Sequence, residues 1–128
     1  MHALSAQRVI LIDIKTTKNQ LISLVKKINS ENPGLALEFH QQRVSKKNMC
    51  VKGSNGTLWI EPYSEWYDIG LSGQSLTREM QGFMEKTYGK KKGNKQSKPE
   101  PSHQPFWRVT DYKLVEVAVY RYAGVKKV

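Results

Sequence analysis

Apolar positions change period along this chain, and each change marks an element. Val9-Ile10-Leu11-Ile12-Asp13-Ile14 is short, β-branched and almost continuously apolar, which predicts a buried strand. Beyond it the period becomes helical. Leu21, Leu24, Val25 and Ile28 share one face, Thr17 and Gln20 have capping-box spacing, and Asn32-Pro33-Gly34 stops the helix. Leu35, Leu37 and Phe39 then alternate with Ala36, Glu38 and His40, the pattern of a half-buried strand. Met49 and Val51 resume the alternation. Gly53-Ser54-Asn55-Gly56 predicts a hairpin loop, and Thr57 to Glu61 the returning strand, which Pro62 ends or places on an edge. Trp66 to Leu71 predicts one more strand.

In the second half, Ser72-Gly73-Gln74-Ser75 reads as a turn with Ser75 as N-cap of a second helix. Leu76, Met80, Phe83, Met84 and Tyr88 share its apolar face, and Gly89 follows as C-cap. Residues 90–102 contain no apolar side chain, so a flexible basic loop is expected over 89–105. Phe106-Trp107 restore the apolar pattern. From Leu114 to Tyr122, Val115, Val117 and Val119 alternate with Glu116, Ala118 and Tyr120, which predicts a last strand with the valines toward the core. The order β-α-β-β-β-β-α-loop-β predicts a single α+β domain over residues 1–128. Its sheet should be mainly antiparallel, of about five to six strands, with two helices on one face and the long basic loop before the last strand.

Charge changes the picture more than composition does. The chain has 128 residues, 38% of them hydrophobic, which suffices for a packed core without disulfides or metal. Its 21 Lys and Arg against 11 Asp and Glu leave a formal charge of +10, which favours polyanionic partners. One cysteine, Cys50, excludes an internal disulfide framework and suggests a reducing, cytoplasmic setting. The apolar run Val9 to Ile12 is too short for a signal-peptide core or a membrane span, so no membrane partner is expected.

Little catalytic chemistry can be assembled. Gly53-Ser54-Asn55-Gly56 lacks the Lys-Ser/Thr of a phosphate loop, and Gly70-Leu71-Ser72-Gly73 is one residue short of a nucleophile elbow. His2, His40 and His103 have no ligand spacing, and Glu61, Glu65 and Asp68 read as a solvated rim, so no metal or cofactor is expected. His40 beside Cys50 across a hairpin reads as an edge histidine next to a small buried thiol rather than a base and nucleophile. No catalytic residues are assigned, and a non-enzymatic protein is expected. Free backbone N–H groups near Ser75, with Arg78 close by, make a candidate anion or nucleotide site.

Basic clusters carry the main functional expectation. Arg43, Lys46, Lys47 and Lys52 surround one turn and hairpin; Lys90, Lys91, Lys92 and Lys95 lie in the polar tract; Arg121 is near the other end of the chain. Lysines act as point charges without bidentate base readout, so a nucleic acid would be held by its backbone with weak sequence preference. Trp59 and Trp107 are candidate stacking platforms, with Trp66, Tyr67 and Phe106 as further aromatics. The alternative partner is an acidic protein surface, docked on an exposed sheet edge such as Thr57 to Glu61 or the last strand. The same edge would serve a homodimer.

Tyr67-Asp68-Ile69-Gly70-Leu71, Gly82-Phe83-Met84-Glu85-Lys86-Thr87-Tyr88 and Arg121-Tyr122 resemble elements of the Ycf-type proteins of cyanobacteria and plastids, a family of unknown function. The resemblance covers about half the chain and lacks the family's opening Ser-His-Phe, and the lysine tract is an insertion relative to it. It implies an α+β fold and no activity or binding residues.

Overall fold

The computed structural model describes residues 11–95 and 104–126. Helix α1 (Ile14–Glu31) comes first. It starts at Ile14 because Asp13 is the N-cap: its Oδ1 accepts from the Thr16 N–H at 2.6 Å and its Oδ2 from the Thr16 hydroxyl at 2.9 Å. The strand expected over Val9 to Ile14 is therefore not seen among the described residues, where Ile14 is helical and Leu11 is 59% exposed. Val9 and Ile10 lie outside the described residues. The Thr17–Gln20 capping box gives way to the same Asp13 cap, and Thr17 lies buried inside the helix. Thr17, Leu21, Leu24, Val25 and Ile28 form the buried stripe, as the helical period requires.

A short 3-10 turn at Pro33–Leu35 leads into four strands joined as hairpins: β1 (Glu38–Gln41), β2 (Met49–Gly53), β3 (Gly56–Pro62) and β4 (Tyr67–Ser72). Gly56 makes the β2–β3 turn with φ of 92°, and the space for a side chain there is closed, since a Cβ would lie 2.4 Å from the Ser75 backbone nitrogen. Helix α2 (Arg78–Tyr88) follows, then β5 (Gly93–Lys95), β6 (Gln104–Val109) and helix α3 (Tyr112–Ala123). The sheet has six strands in the order β1-β2-β3-β4-β6-β5, and every pair is antiparallel.

Two further segments depart from the expected elements. The stretch Leu114 to Tyr122 is helix, not strand. Asp111 caps it by accepting from the Lys113 N–H, and Gly124, left-handed with φ of 75°, closes it by donating its N–H to the Tyr120 and Arg121 carbonyls. Its buried residues Val115, Ala118, Val119 and Tyr122 follow helical spacing, whereas Val117 is only half-buried. Within the loop expected over 89–105, Gly93–Lys95 is an edge strand and Gln104-Pro105 begins β6. Residues 96–103, including His103 and the rest of the lysine tract, lie outside the described residues.

Alternation gives the sheet two unlike faces. On one, Met49, Val51, Leu58, Ile60, Tyr67, Ile69, Leu71, Trp107 and Val109 are buried in a single core with residues of all three helices. Three helices rather than two therefore cover this face. Each Leu, Ile or Val side chain buried there contributes about 1.5–3 kcal/mol. The register places the other face on Lys52, Thr57, Trp59, Glu61, Asp68, Gly70, Phe106 and Arg108. Neither Trp59 nor Phe106 belongs to the core. Thr57–Glu61 runs in the middle of the sheet, between β2 and β4, so it offers no free edge for a partner or a second copy. The last strand expected for that role is α3, and among the described residues the edge strands are β1 and β5.

Candidate nucleic-acid interface

One transverse row crosses the face that is helix-free among the described residues: His40, Cys50, Trp59, Gly70, Phe106 and Gly93 are successive register partners from β1 to β5. Gly70 sits between the two aromatic residues. A Cβ added there would lie 3.6 Å from the Trp59 Cβ and 3.9 Å from the Phe106 Cβ. The missing side chain leaves a cleft of about 140 Å³ with Gly70, Trp59 and Phe106 in its lining. Asp68, Glu61, Lys95 and Asn48 add polar groups to the same cleft. Trp59 is half-buried and held in place by its indole N–H, which donates to the Ser72 hydroxyl at 2.8 Å.

Next to this row lies a charge cluster. Glu61 and Asp68 are register neighbours, and so are Asp68 and Arg108. Arg108 donates through Nε to Asp68 Oδ1 at 2.9 Å and through Nη2 to Oδ2 at 3.3 Å. Lys95 donates to Glu61, to Asp68 Oδ2 at 3.0 Å and to the Tyr63 hydroxyl at 3.1 Å. Burial works against the Lys95 charge, but the hydrogen bonds to Glu61, Asp68 and Tyr63 outweigh it and hold the ammonium well above its ordinary range. The hydrogen bond to Asp68 likewise raises Arg108. Asp68 is therefore a buried, doubly paired carboxylate rather than part of a solvated rim. Cations also cap rings here: Lys47 lies 4.2 Å from the Tyr63 ring centroid, Lys95 4.8 Å from that of Phe106, and Arg108 4.2 Å from that of Trp66. Trp66 in turn stacks on Tyr63 at 5.4 Å.

The candidate binding residues singled out in the sequence divide into three groups. Arg43, Lys46 and Lys47 occupy the loop between β1 and β2, which is ordered by a Gln42 N–H to Asn48 carbonyl bond of 3.0 Å and a Gln41 amide to Lys46 carbonyl bond of 2.7 Å. Lys52 is exposed on the helix-free face, and Lys90, Lys91 and Lys92 are exposed on the approach to β5 at the opposite edge. Positive charge thus flanks the aromatic row at both edges, and Lys47 and Lys95 meet over the same Tyr63 ring. The third group falls elsewhere. Trp107 is 1% exposed on the core face, its indole N–H donating to the Gly89 carbonyl, so it cannot stack on a ligand. Arg121 is on α3, its guanidinium 5.0 Å from the Phe83 ring, in the helix layer. Lys95 is committed to its carboxylates rather than free for phosphate.

The anion site expected at Ser75 and Arg78 does not form as expected, because the helix begins two residues later. Thr77 is its N-cap, and Ser75 closes a 3-10 turn at Gly73–Ser75. The Ser75 N–H is held by the Ser72 side chain and the Leu76 N–H by the Gly73 carbonyl, while the buried Ser75 hydroxyl donates to the Thr57 and Ser72 carbonyls. His40 and Cys50 are register partners as expected. His40 pairs with Glu38 at 2.9 Å, and burial pushes the Cys50 thiol up to about 11, so it stays protonated at neutral pH. No group of His, Cys, Asp or Glu among the described residues could hold a metal ion, and no helix among them is long and apolar enough to cross a membrane.

Compared with protein families, with curated proteins and with solved structures, the chain finds no match. Nothing in these comparisons bears on the likeness to the Ycf-type proteins.

Proposed function

We propose that this protein binds single-stranded nucleic acid across the helix-free face of its sheet. The observation that carries this reading is the pair of half-buried aromatics, Trp59 and Phe106, flanking the bare floor at Gly70 on a face bordered by Arg43, Lys46, Lys47, Lys52 and Lys90–Lys92. An open antiparallel face offers flat rings on which unstacked bases lie, with lysines at its edges for the phosphates. A duplex is a poorer fit, since its bases are already stacked and none of the described helices stands on this face to enter a major groove. With lysine as the main flanking cation, contacts run to the backbone and the sequence preference is weak.

Fluorescence anisotropy with labelled single-stranded and duplex oligonucleotides, at low and at physiological salt, tests this. Trp59→Leu and Phe106→Leu should each weaken single-strand binding by about fivefold or more, since each stacked base contributes about 1–3 kcal/mol. Removing Lys46 and Lys47 together should lower the salt slope by about 0.7 per lysine. Arg121→Ala should leave both unchanged. The reading fails if no single strand binds at low salt, or if both aromatic variants, folded by circular dichroism, bind like the wild type.

A further inference from the structure

The large apolar side chains that are exposed among the described residues gather at one end of the molecule. Leu11 and Ile14 stand at the start of α1, Val44 in the middle of the β1–β2 loop and Leu114 on the first turn of α3. The β3–β4 turn joins these places. Its Ser64 carbonyl accepts from the Ile12 N–H at 2.9 Å, and its Tyr63 ring carries Lys47 from the β1–β2 loop. Tyr67, just beyond the turn, pairs with Val109 shortly before the Asp111 cap of α3. The opposite end, at the β2–β3 turn and the 3-10 turn Gly73–Ser75, shows no large exposed apolar side chain among the described residues. Val44 is 100% exposed although hydrogen bonds order its loop, so it is held outward. Cations stand beside each apolar group: Lys15 next to Ile14, Arg43 and Lys46 around Val44, Lys113 next to Leu114, all four exposed. The carboxylates at this end are Asp13, Glu65 and Asp111, and two of them spend an oxygen on capping α1 and α3.

We propose that this end docks on an anionic lipid surface, with the apolar side chains entering the headgroup boundary and the cations on the lipid phosphates. Such docking adds apolar burial to attraction for anionic lipid and needs no spanning segment. The apolar groups stand on three separate projections instead of lining one groove. A fluid interface admits them together, where a rigid partner would need a hollow for each. The proposal is independent of the single-strand reading, whose aromatics lie on a face of the sheet and not at its end.

The experiment measures flotation of the full chain with vesicles of phosphatidylcholine alone and of equal parts phosphatidylcholine and phosphatidylglycerol. The chain should float with the anionic vesicles at low salt and hardly with the neutral ones. Lys15→Ala and Lys113→Ala should each weaken this by about fivefold and leave oligonucleotide binding unchanged. Val44→Ser should weaken it by about tenfold and Val44→Leu should retain it. Lys52→Ala, near the opposite end, should have no effect. An environment-sensitive dye on Val44→Cys should brighten on the anionic vesicles, whereas the same dye on Ser54→Cys in the β2–β3 turn should not; Cys50 is buried and stays unlabelled. All these positions are exposed, and circular dichroism checks that the variants fold. No flotation at low salt overturns the proposal, as does equal flotation with neutral vesicles. Flotation untouched by Val44→Ser, or dyes that respond alike at both ends, reduces the contact to the general attraction of a basic protein and overturns it too.

Discussion

Asp68→Asn isolates what the charge cluster does for the fold. Asp68 is 2% exposed and accepts three hydrogen bonds from two cations, at 2.9, 3.0 and 3.3 Å. Hydrogen bonds to a charged group are individually worth about 1.5–3 kcal/mol, and breaking a fully buried ion pair costs about 3–5 kcal/mol. The Lys95 and Arg108 side chains remain 30% and 33% exposed, so water takes over part of their solvation once Asp68 is neutral. Lys95 also keeps Glu61. The expected loss is therefore about 2–3 kcal/mol, below the fully buried limit. Urea denaturation should show it as a lower midpoint with an unchanged slope, because the surface exposed on unfolding is the same. Hydrogen exchange should localise the damage. Lys95 ties edge strand β5 back to β3 and β4, so amides around Gly93–Lys95 should exchange faster while those of β2 and β3 hardly change. Binding should move the other way. Two carboxylates and two cations cancel in the wild-type cluster, whereas the asparagine variant carries one net positive charge there, so single-strand affinity at low salt should not fall. A stability change below about 0.5 kcal/mol, the usual size for a surface substitution, would refute the reasoning.

Three other outcomes follow from the geometry. Gly56→Ala should cost about 3 kcal/mol or more by thermal or urea unfolding, because φ is 92° and the new Cβ meets the Ser75 backbone nitrogen at 2.4 Å, whereas Gly124→Ala, at φ of 75° with nothing within 4 Å, should cost only about 1 kcal/mol. Thr77→Ala should cost about 1 kcal/mol, since the Thr77 hydroxyl accepts from the Met80 N–H at 3.0 Å and caps α2. Cys50 has its thiol raised from 9.0 to about 11 in the folded protein. The protonated thiol is thus favoured by folding, so its contribution is complete below pH 9 and is lost as pH rises toward 11. Unfolding titrations should show the wild type losing at most about 2 kcal/mol more than Cys50→Ala across that window, and parallel pH profiles would contradict it.

Local pattern alone determined much of this protein. The stripe Leu21, Leu24, Val25, Ile28 makes α1, the turn at 53–56 joins β2 to β3, Met80 and Met84 seat α2, and alternation sets which residues of β2 to β4 face the core. These segments carry one period each, with turn or cap residues that agree with it. The basic loop at Arg43, Lys46 and Lys47 and the aromatic at Trp59 were legible for a related reason: exposed charge and large rings show in composition. The caps Asp13, Asp111 and Gly124 were not read from the sequence, because the continuous apolar run at Val9–Ile12 and the alternation from Leu114 to Tyr122 both favour a strand beside them.

Tertiary structure decided the rest. The run from Val115 to Tyr122 satisfies a period of two and a helical stripe at Val115, Ala118, Val119 and Tyr122 equally well, and only the need to cover β3, β4 and β6 selects the helix. Lys95 reads as one more solvated lysine until the fold brings Glu61 and Asp68, 34 and 27 residues away, to within reach of its ammonium group. Gly70 becomes the floor of a cleft only because antiparallel pairing sets Trp59 and Phe106 on either side of it. Each of these depends on contacts between strands far apart in sequence, which no local period encodes.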